Sequence, residues 1–323
     1  MDLIDTAIKQ GYFRKANSML EDDNRKMATH VILAEGKDQG EVIARLGWAK
    51  GRKTVARLNL VTGSTATADC LIGADGIHSA TRQYVLRRDH PDTLPVNHNR
   101  WYRVGGKLPM EEVEKTLSPL FLRFVPILCG PNGRFNMTPI HYGKTMNIGF
   151  YTRAQSDGEV GTLPNPDDFV RYDLDGTKMV EVIHDHDAAP YFNKGRVVMM
   201  GDAAHSTYPF MDDGAGQAIE DGAVLHAPFA HVKHKSEIPA VFTAFDEVRR
   251  PRALRVVEMA RNAGLMYPYD FERFRCASDS IEALKDSWKK FASFTNNADL
   301  GTQNQMAISV YQCITGQQVN GVY

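Results

Sequence analysis

Asp202 and the run Gly214-Ala215-Gly216 are the residues whose types and spacing point most directly to chemistry. A carboxylate accepts hydrogen bonds from hydroxyls on a sugar-like or polyol chain. Glycines at a helix start let a ligand approach bare main-chain N–H groups, where the helix carries roughly half a positive charge. The two together suit a ligand that joins a polyol to an anionic or carbonyl-rich ring.

The elements that must position them can be read on either side. The apolar run Val197 to Met200 is too short for a helix and long enough for a buried strand, and it ends in the turn signal Gly201-Asp202. From Gly214 the positions Ala215, Ala218, Ile219, Gly222, Ala223 and His226 recur at helical spacing. Asp202 therefore stands at the C-terminal end of a strand, and the following helix opens on bare backbone. Flavin adenine dinucleotide has both portions of the required ligand. A strand, a Gly-Asp turn and a helix are also a common structural device, so a plain turn is the competing reading.

At these residues the sequence resembles the flavin-dependent aromatic hydroxylases, the salicylate-hydroxylase-like monooxygenases. Gly201-Asp202-Ala203-Ala204-His205, Pro209 and the stretch Gly214 to Asp221 match that family in order and spacing. The resemblance implies that Asp202 binds the ribitol chain of FAD and that Gly214, Ala215 and Gly216 face the flavin pyrimidine. Where the family has uncharged residues, this chain has Asp212 and Asp213.

A second match lies earlier. Residues 54–71 alternate across a Thr-Gly-Ser turn and read as a hairpin whose second strand, Ala68 to Ile72, runs into Gly73-Ala74-Asp75-Gly76. A helix capped by Ser79 should follow. The string from Ala68 to Arg82 resembles the family's second signature, which implies cofactor contacts from Asp75, Gly76 and Arg82. Further on, Trp101-Tyr102-Arg103 and residues 135–151 resemble the start and the central hairpin of the family's substrate-binding sheet. In relatives that first arginine holds an anionic phenolic or carboxylated substrate against the flavin, which makes Arg103 the catalytic candidate; an arginine paired with a surface carboxylate is the competing reading.

Composition narrows the remaining choices. With 38 basic and 39 acidic residues in 323, the chain gives no reason to expect a nucleic-acid or acidic-membrane partner. Cys70, Cys129, Cys276 and Cys313 are widely spaced and read as free thiols. No signal-peptide pattern and no run of membrane length occurs, so a cytoplasmic protein is the expectation. His184-Asp185-His186-Asp187 invites a metal reading, but a solvated loop is simpler and no metal is expected. His231 to Lys235 reads as a surface loop, Ser236 as a cap for the next helix, and Pro251 as a kink or fresh start within it. The string 249–267 again resembles the family.

The expected fold is α/β: a partial FAD-binding three-layer domain with an inserted antiparallel β-sheet substrate domain and a helical C-terminus. The expected divisions are 1–95 and 191–267 for the cofactor domain, 96–190 for the substrate sheet and 268–323 for the tail. The resemblance implies an FAD-dependent monooxygenase that uses NADPH or NADH and O2 to hydroxylate an aromatic or polyketide-like small molecule, in secondary metabolism. The family's N-terminal Gly-x-Gly-x-x-Gly unit has no counterpart here, and residues 1–30 read as helix whose opening lacks the family's arginine. The sequence thus reads as truncated at its front, with the expectation that FAD is not retained. The alternative function is an inactive remnant or binding module.

Overall fold

The computed structural model describes residues 44–48, 56–60, 65–119, 122, 126–130, 133–154, 179–268 and 281–317. The expected helix in residues 1–30 and Cys276 lie outside them. Strands β1 (Ala44–Trp48), β2 (Ala56–Leu60) and β3 (Thr65–Ala68) form an antiparallel meander. The expected hairpin is β2 and β3, with Ala56 opposite Ala68. The strand read as continuous from Ala68 to Ile72 is two elements: β3 stops at Ala68, and β4 (Leu71–Gly73) belongs to another sheet. The break falls at Asp69-Cys70, where Arg196 donates to the Asp69 carbonyl and the Leu71 amide donates to the Arg196 carbonyl.

Helix α1 (Ala80–Leu86) starts where expected, because the Ser79 hydroxyl accepts from the Arg82 amide at 2.8 Å. A five-stranded antiparallel sheet follows, in the order β6-β7-β8-β5-β9. Its members are β5 (Trp101–Pro109), β6 (Ile127–Gly130), β7 (Gly133–Ile140), β8 (Thr145–Arg153) and β9 (Met179–Val182), with the short helix α2 (Met110–Glu114) after β5. The hairpin expected over 135–151 is β7 and β8, closed by His141 and Tyr142 at positive φ.

β10 (Asn193–Lys194) and β11 (Val197–Met199) complete a small sheet in which β11 runs parallel to β4, Val197 opposite Leu71 and Met199 opposite Gly73. Val197, Val198 and Met199 are all buried, which is why this strand reads as an unbroken apolar run. The short helix α3 (Asp202–His205) leads to α4 (Gly214–Phe229) and to α5 (Ile238–Met266). α5 runs unbroken through Pro251, and its cap position is Glu237; Ser236 lies instead in the preceding single turn of 3₁₀ helix. Val241, Phe242, Phe245 and Val248 form its buried stripe with the sheet strands and α4, each large side chain contributing roughly 2–3 kcal/mol by burial.

The tail is helical as expected: α6 (Ile281–Asn296) and α7 (Leu300–Thr315). Asp299 caps α7 through the Thr302 amide, and Gly316 ends it at φ 69°, a left-handed conformation that glycine adopts without steric cost. Trp288 and Phe291 of α6 pack against a cluster of Trp101, Tyr151, Tyr208, Phe210 and Tyr267. That cluster joins the five-stranded sheet to the loop between α3 and α4. Cys70, Cys129 and Cys313 are free thiols. No described helix is long and apolar enough to cross a membrane.

Candidate active site

Because β4 and β11 are parallel neighbours, the turns that follow them lie side by side at the carboxyl end of the sheet, where open α/β sheets place their ligands. Asp75 and Gly76 follow β4; Asp202 opens α3 after β11. The Asp75 carboxylate accepts from the Ser79 hydroxyl at 2.6 Å and from the Thr81 amide and hydroxyl at 3.0 and 3.2 Å, so it fixes its own turn. Gly76 has φ 72° with open space where a Cβ would stand. Asp202 is exposed.

Arg82 is fully buried and ties the two turns together. Its guanidinium donates to the carbonyls of Ala203 (3.2 Å) and Ala204 (2.8 Å) on α3, and to those of Asp92 and Asp187. Burial lowers its pKa to about 10, still far above neutrality. Its described partners are all protein carbonyls, so its part in the site is to hold α1 against α3.

The helix start is built by a buried polar network. Asp221 of α4 accepts from the Gly201 amide at 2.8 Å, from Arg249 Nε at 2.8 Å, and pairs with His205 Nε2 at 2.6 Å. Burial alone would raise the Asp221 pKa, yet His205, Arg249 and the Gly201 amide hold it below the ordinary value. Arg249 continues to Glu220 at 2.6 Å and to Gln217, whose amide group reaches Asp213 at 2.9 Å. The Gly201 turn and the Gly214 helix start are thus two ends of one hydrogen-bonded unit.

Asp213 occupies the cap position of α4 without a side-chain capping bond. A Cβ at Gly216 would come 2.5 Å from Asp213 Oδ1, so glycine is what lets that carboxylate fold over the first turn. Burial raises its pKa, an effect that the Gln217 bond partly offsets. Asp212 is exposed, in the left-handed region at φ 53°. An exposed aspartate at a strand end and a helix start with no side-chain cap fit a polyol joined to an electron-rich ring, so Asp202, Gly214, Ala215 and Gly216 suit the ribitol and pyrimidine of a flavin.

Arg103 lies across the face of the five-stranded sheet. Its Nη2 donates to Asn147 Oδ1 at 3.1 Å and to the Ile148 carbonyl at 3.3 Å, and Glu181 Oε2 is 3.9 Å from Nη1. Gly105 and Gly149 face each other beneath it. A cavity of about 820 Å³ opens over this face, lined on the sheet side by Arg103, Gly105, Lys107, Asn147, Tyr151 and Glu181. Its other wall is Ile77 and His78, next to the Asp75-Gly76 turn, with Thr207 and Pro209 of the loop before Gly214. Arg103 is therefore brought to the strand-end turns through their neighbours, whereas Asp202 and Gly214 to Gly216 do not line the cavity.

Lys107, His78 and His184 are among the cavity residues that the sequence did not mark as belonging to this site. Lys107 shares the Arg103 face by strand alternation, a signal that was available. His78 and His184 line the rim for tertiary reasons. The run 184–187 is not a solvated loop: Asp185 and His186 are buried, Asp185 bonds to Arg261, and its backbone bridges Val96. Burial drops the His186 pKa to about 3, with the Arg82 charge adding to it. Among the described residues no group of side chains could hold a metal ion.

Comparison with known proteins finds flavin-dependent relatives. The family profile described as "FAD binding domain" matches residues 167–260. The 6-methylsalicylate 1-monooxygenase atA of Aspergillus terreus is 33% identical over 273 residues, 79% of this chain and 60% of that protein. The FAD-dependent monooxygenase azaH of Aspergillus niger is 31% identical over 241 residues, 64% of this chain and 55% of that protein. Among solved structures, a salicylate hydroxylase substrate complex superposes with a TM-score of 0.64 at 25% identity, covering 78% of this chain and 67% of that one. The chain spans about 60% or less of the length of these two sequence relatives. Residues 167–260 thus match an FAD binding domain, and over most of its length the chain is similar in sequence to FAD-dependent monooxygenases and in fold to a salicylate hydroxylase.

Proposed function

We propose that the protein is an FAD-dependent monooxygenase that hydroxylates a carboxylated or phenolic aromatic molecule, of aromatic or polyketide-like origin, with NADPH or NADH as electron donor. One observation carries this reading: a single cavity has the Arg103 sheet face as one wall and, as the other, residues adjoining both flavin-facing turns. Its volume, about 820 Å³, suits a small aromatic substrate. Arg103 and Lys107 outnumber the acidic Glu181, so the cavity favours an anion.

When bound, reduced FAD supplies the reaction of O2 that hydroxylates the ring. The chain's own residues bind and orient. Asp202 would hold FAD by accepting from ribitol hydroxyls, and the first-turn amides of α4 would hold its pyrimidine end, where the helix dipole favours negative charge. Arg103 presents a planar fork to a substrate carboxylate, and the aromatic cluster around Tyr151 closes the inner end against water. Titration of FAD followed by flavin fluorescence tests the cofactor half: the wild type quenches and saturates, and Asp202→Ala weakens affinity tenfold or more. Equal affinity in both would remove the ribitol assignment, and no saturation in the wild type would remove the cofactor reading.

A further inference from the structure

Arg134 of β7 is 1% exposed, and its guanidinium carbon stands 4.5 Å from the ring centre of Tyr151, 4.7 Å from Phe210 and 4.4 Å from Tyr267. Nη2 donates to the Pro209 carbonyl at 2.8 Å. Nε and Nη1 have no acceptor at bonding geometry among the described residues, although the Tyr267 hydroxyl is near enough to interact with the charge. Among those residues, no ion pair includes Arg134. A buried cation with no counter-ion among the described residues is costly.

Tyr151 and Pro209, both in contact with this guanidinium, also line the cavity. We propose that Arg134 is a positioning charge behind the cavity wall, making a bound phenolic substrate a stronger acid and so holding it as the phenolate. The inference rests on the aromatic-anion reading of the cavity. The substrate O–H bond breaks with its proton passing to water, and the electron pair stays on oxygen; the ring becomes more electron-rich, as oxygen transfer to it requires. An anion on the far side of the Tyr151 wall lies on the order of 8 Å from the guanidinium, and at an effective dielectric near 20 that makes the phenol roughly a tenfold stronger acid or more.

The groups facing Arg134 are few. Tyr151 comes from β8, Tyr267 from the end of α5, and Cys129 stands opposite in register on β6. Asp212 lies in the loop near Tyr267. Within the cavity the charged or titratable groups are Arg103, Lys107, His78, His184, Tyr151 and Glu181. Of the two cavity cations, Lys107 is exposed and screened by salt, and Arg103 is engaged by Asn147, the Ile148 carbonyl and Glu181; Arg134, behind the wall, is buried and screened least.

The test titrates 4-hydroxy-3-nitrobenzoate, a carboxylated phenol whose phenolate absorbs visible light, bound to the full chain and free, at low and at high salt. The wild type should ionise the bound probe about tenfold more readily than water does, at both salt concentrations. Arg134→Met replaces a charge that has no counter-ion among the described residues by an apolar chain suited to a ring cage, and should move the bound probe several-fold back toward its free behaviour. Arg134→Lys should keep most of the effect, and Lys107→Met should keep it at high salt. A bound probe that titrates as the free one, or identically in wild type and Arg134→Met, overturns the inference while leaving the cavity reading intact. An effect that vanishes at high salt overturns it too, without need of any variant. Failure of the wild type to bind the probe overturns the cavity reading, and this inference with it.

Discussion

Arg103 rests on Gly149: a Cβ at position 149 would meet Arg103 Nε at 2.8 Å, and the only other group within 3 Å of it would be the Asn136 side chain. Both obstacles are flexible side chains, so Gly149→Ala should fold and push the guanidinium off the sheet. The expected outcome is a KM for an aromatic carboxylate raised about tenfold, with stability changed by less than ~1 kcal/mol. Steady-state kinetics and a urea titration check the two halves. Gly105→Ala is the contrast, since its Cβ would come 2.6 Å from the Ile148 backbone carbonyl and must cost stability as well.

The Asp221 carboxylate serves His205, the Gly201 amide and Arg249 at once. Asp221→Asn removes the charge that compensates Arg249 in a buried setting and weakens the acceptor shared by His205 and the Gly201 amide, and should destabilise the fold by roughly 3–5 kcal/mol. Because the folded-state pKa is lowered, the stabilisation is present above the ordinary carboxylate range and is lost as pH falls through the folded value. Urea unfolding of the wild type between pH 6 and pH 3 should show that loss, and the Asn variant should be flatter in the same range.

His186 gives the opposite kind of group. Its folded pKa, about 3, lies below the ordinary value of 6.5, so the fold favours the neutral ring. Stability should therefore decline once pH drops below about 6.5, by about 2 kcal/mol at pH 5. His186→Phe should abolish the decline in that window. Asp185 beside it has a raised pKa, from burial first and despite Arg261, and contributes in the reverse direction at lower pH. Thermal melting of both proteins at pH 7.5 and pH 5 separates the two.

Asp212 holds φ 53° in the loop before α4. Glycine reaches that region without the Cβ penalty, so Asp212→Gly should raise stability by about 0.5–1 kcal/mol. It also removes an exposed negative charge two residues before the helix start, so FAD affinity should rise or stay unchanged. A fall in either melting temperature or affinity would mean that the carboxylate has a positive role.

Much of this site was legible because its signals are local. Val197 to Met199 with Gly201-Asp202, and the glycines opening α4, are short patterns with one physical meaning each, and the strand, turn and helix stand where those patterns put them. Ser79 was legible as a cap for the same reason. The break at Asp69-Cys70 was not, because both sides read as strand and only the pairing of β4 with β11 separates them. Nor could the burial of Asp185 and His186 be read from a polar run, since it depends on Arg261, 76 residues further on. Arg134 was hidden likewise: its cage draws on β8, the loop before α4 and the end of α5.

The most direct measurement of the central claim is aerobic incubation of the protein with FAD, NADPH or NADH and a salicylate-type substrate under isotopically labelled O2, read by mass spectrometry. One labelled oxygen atom should appear in the ring product and the other in water, and Arg103→Ala should form far less product from the same FAD-bound protein while donor oxidation continues. Product without label, or equal labelled product from wild type and Arg103→Ala, would contradict the claim.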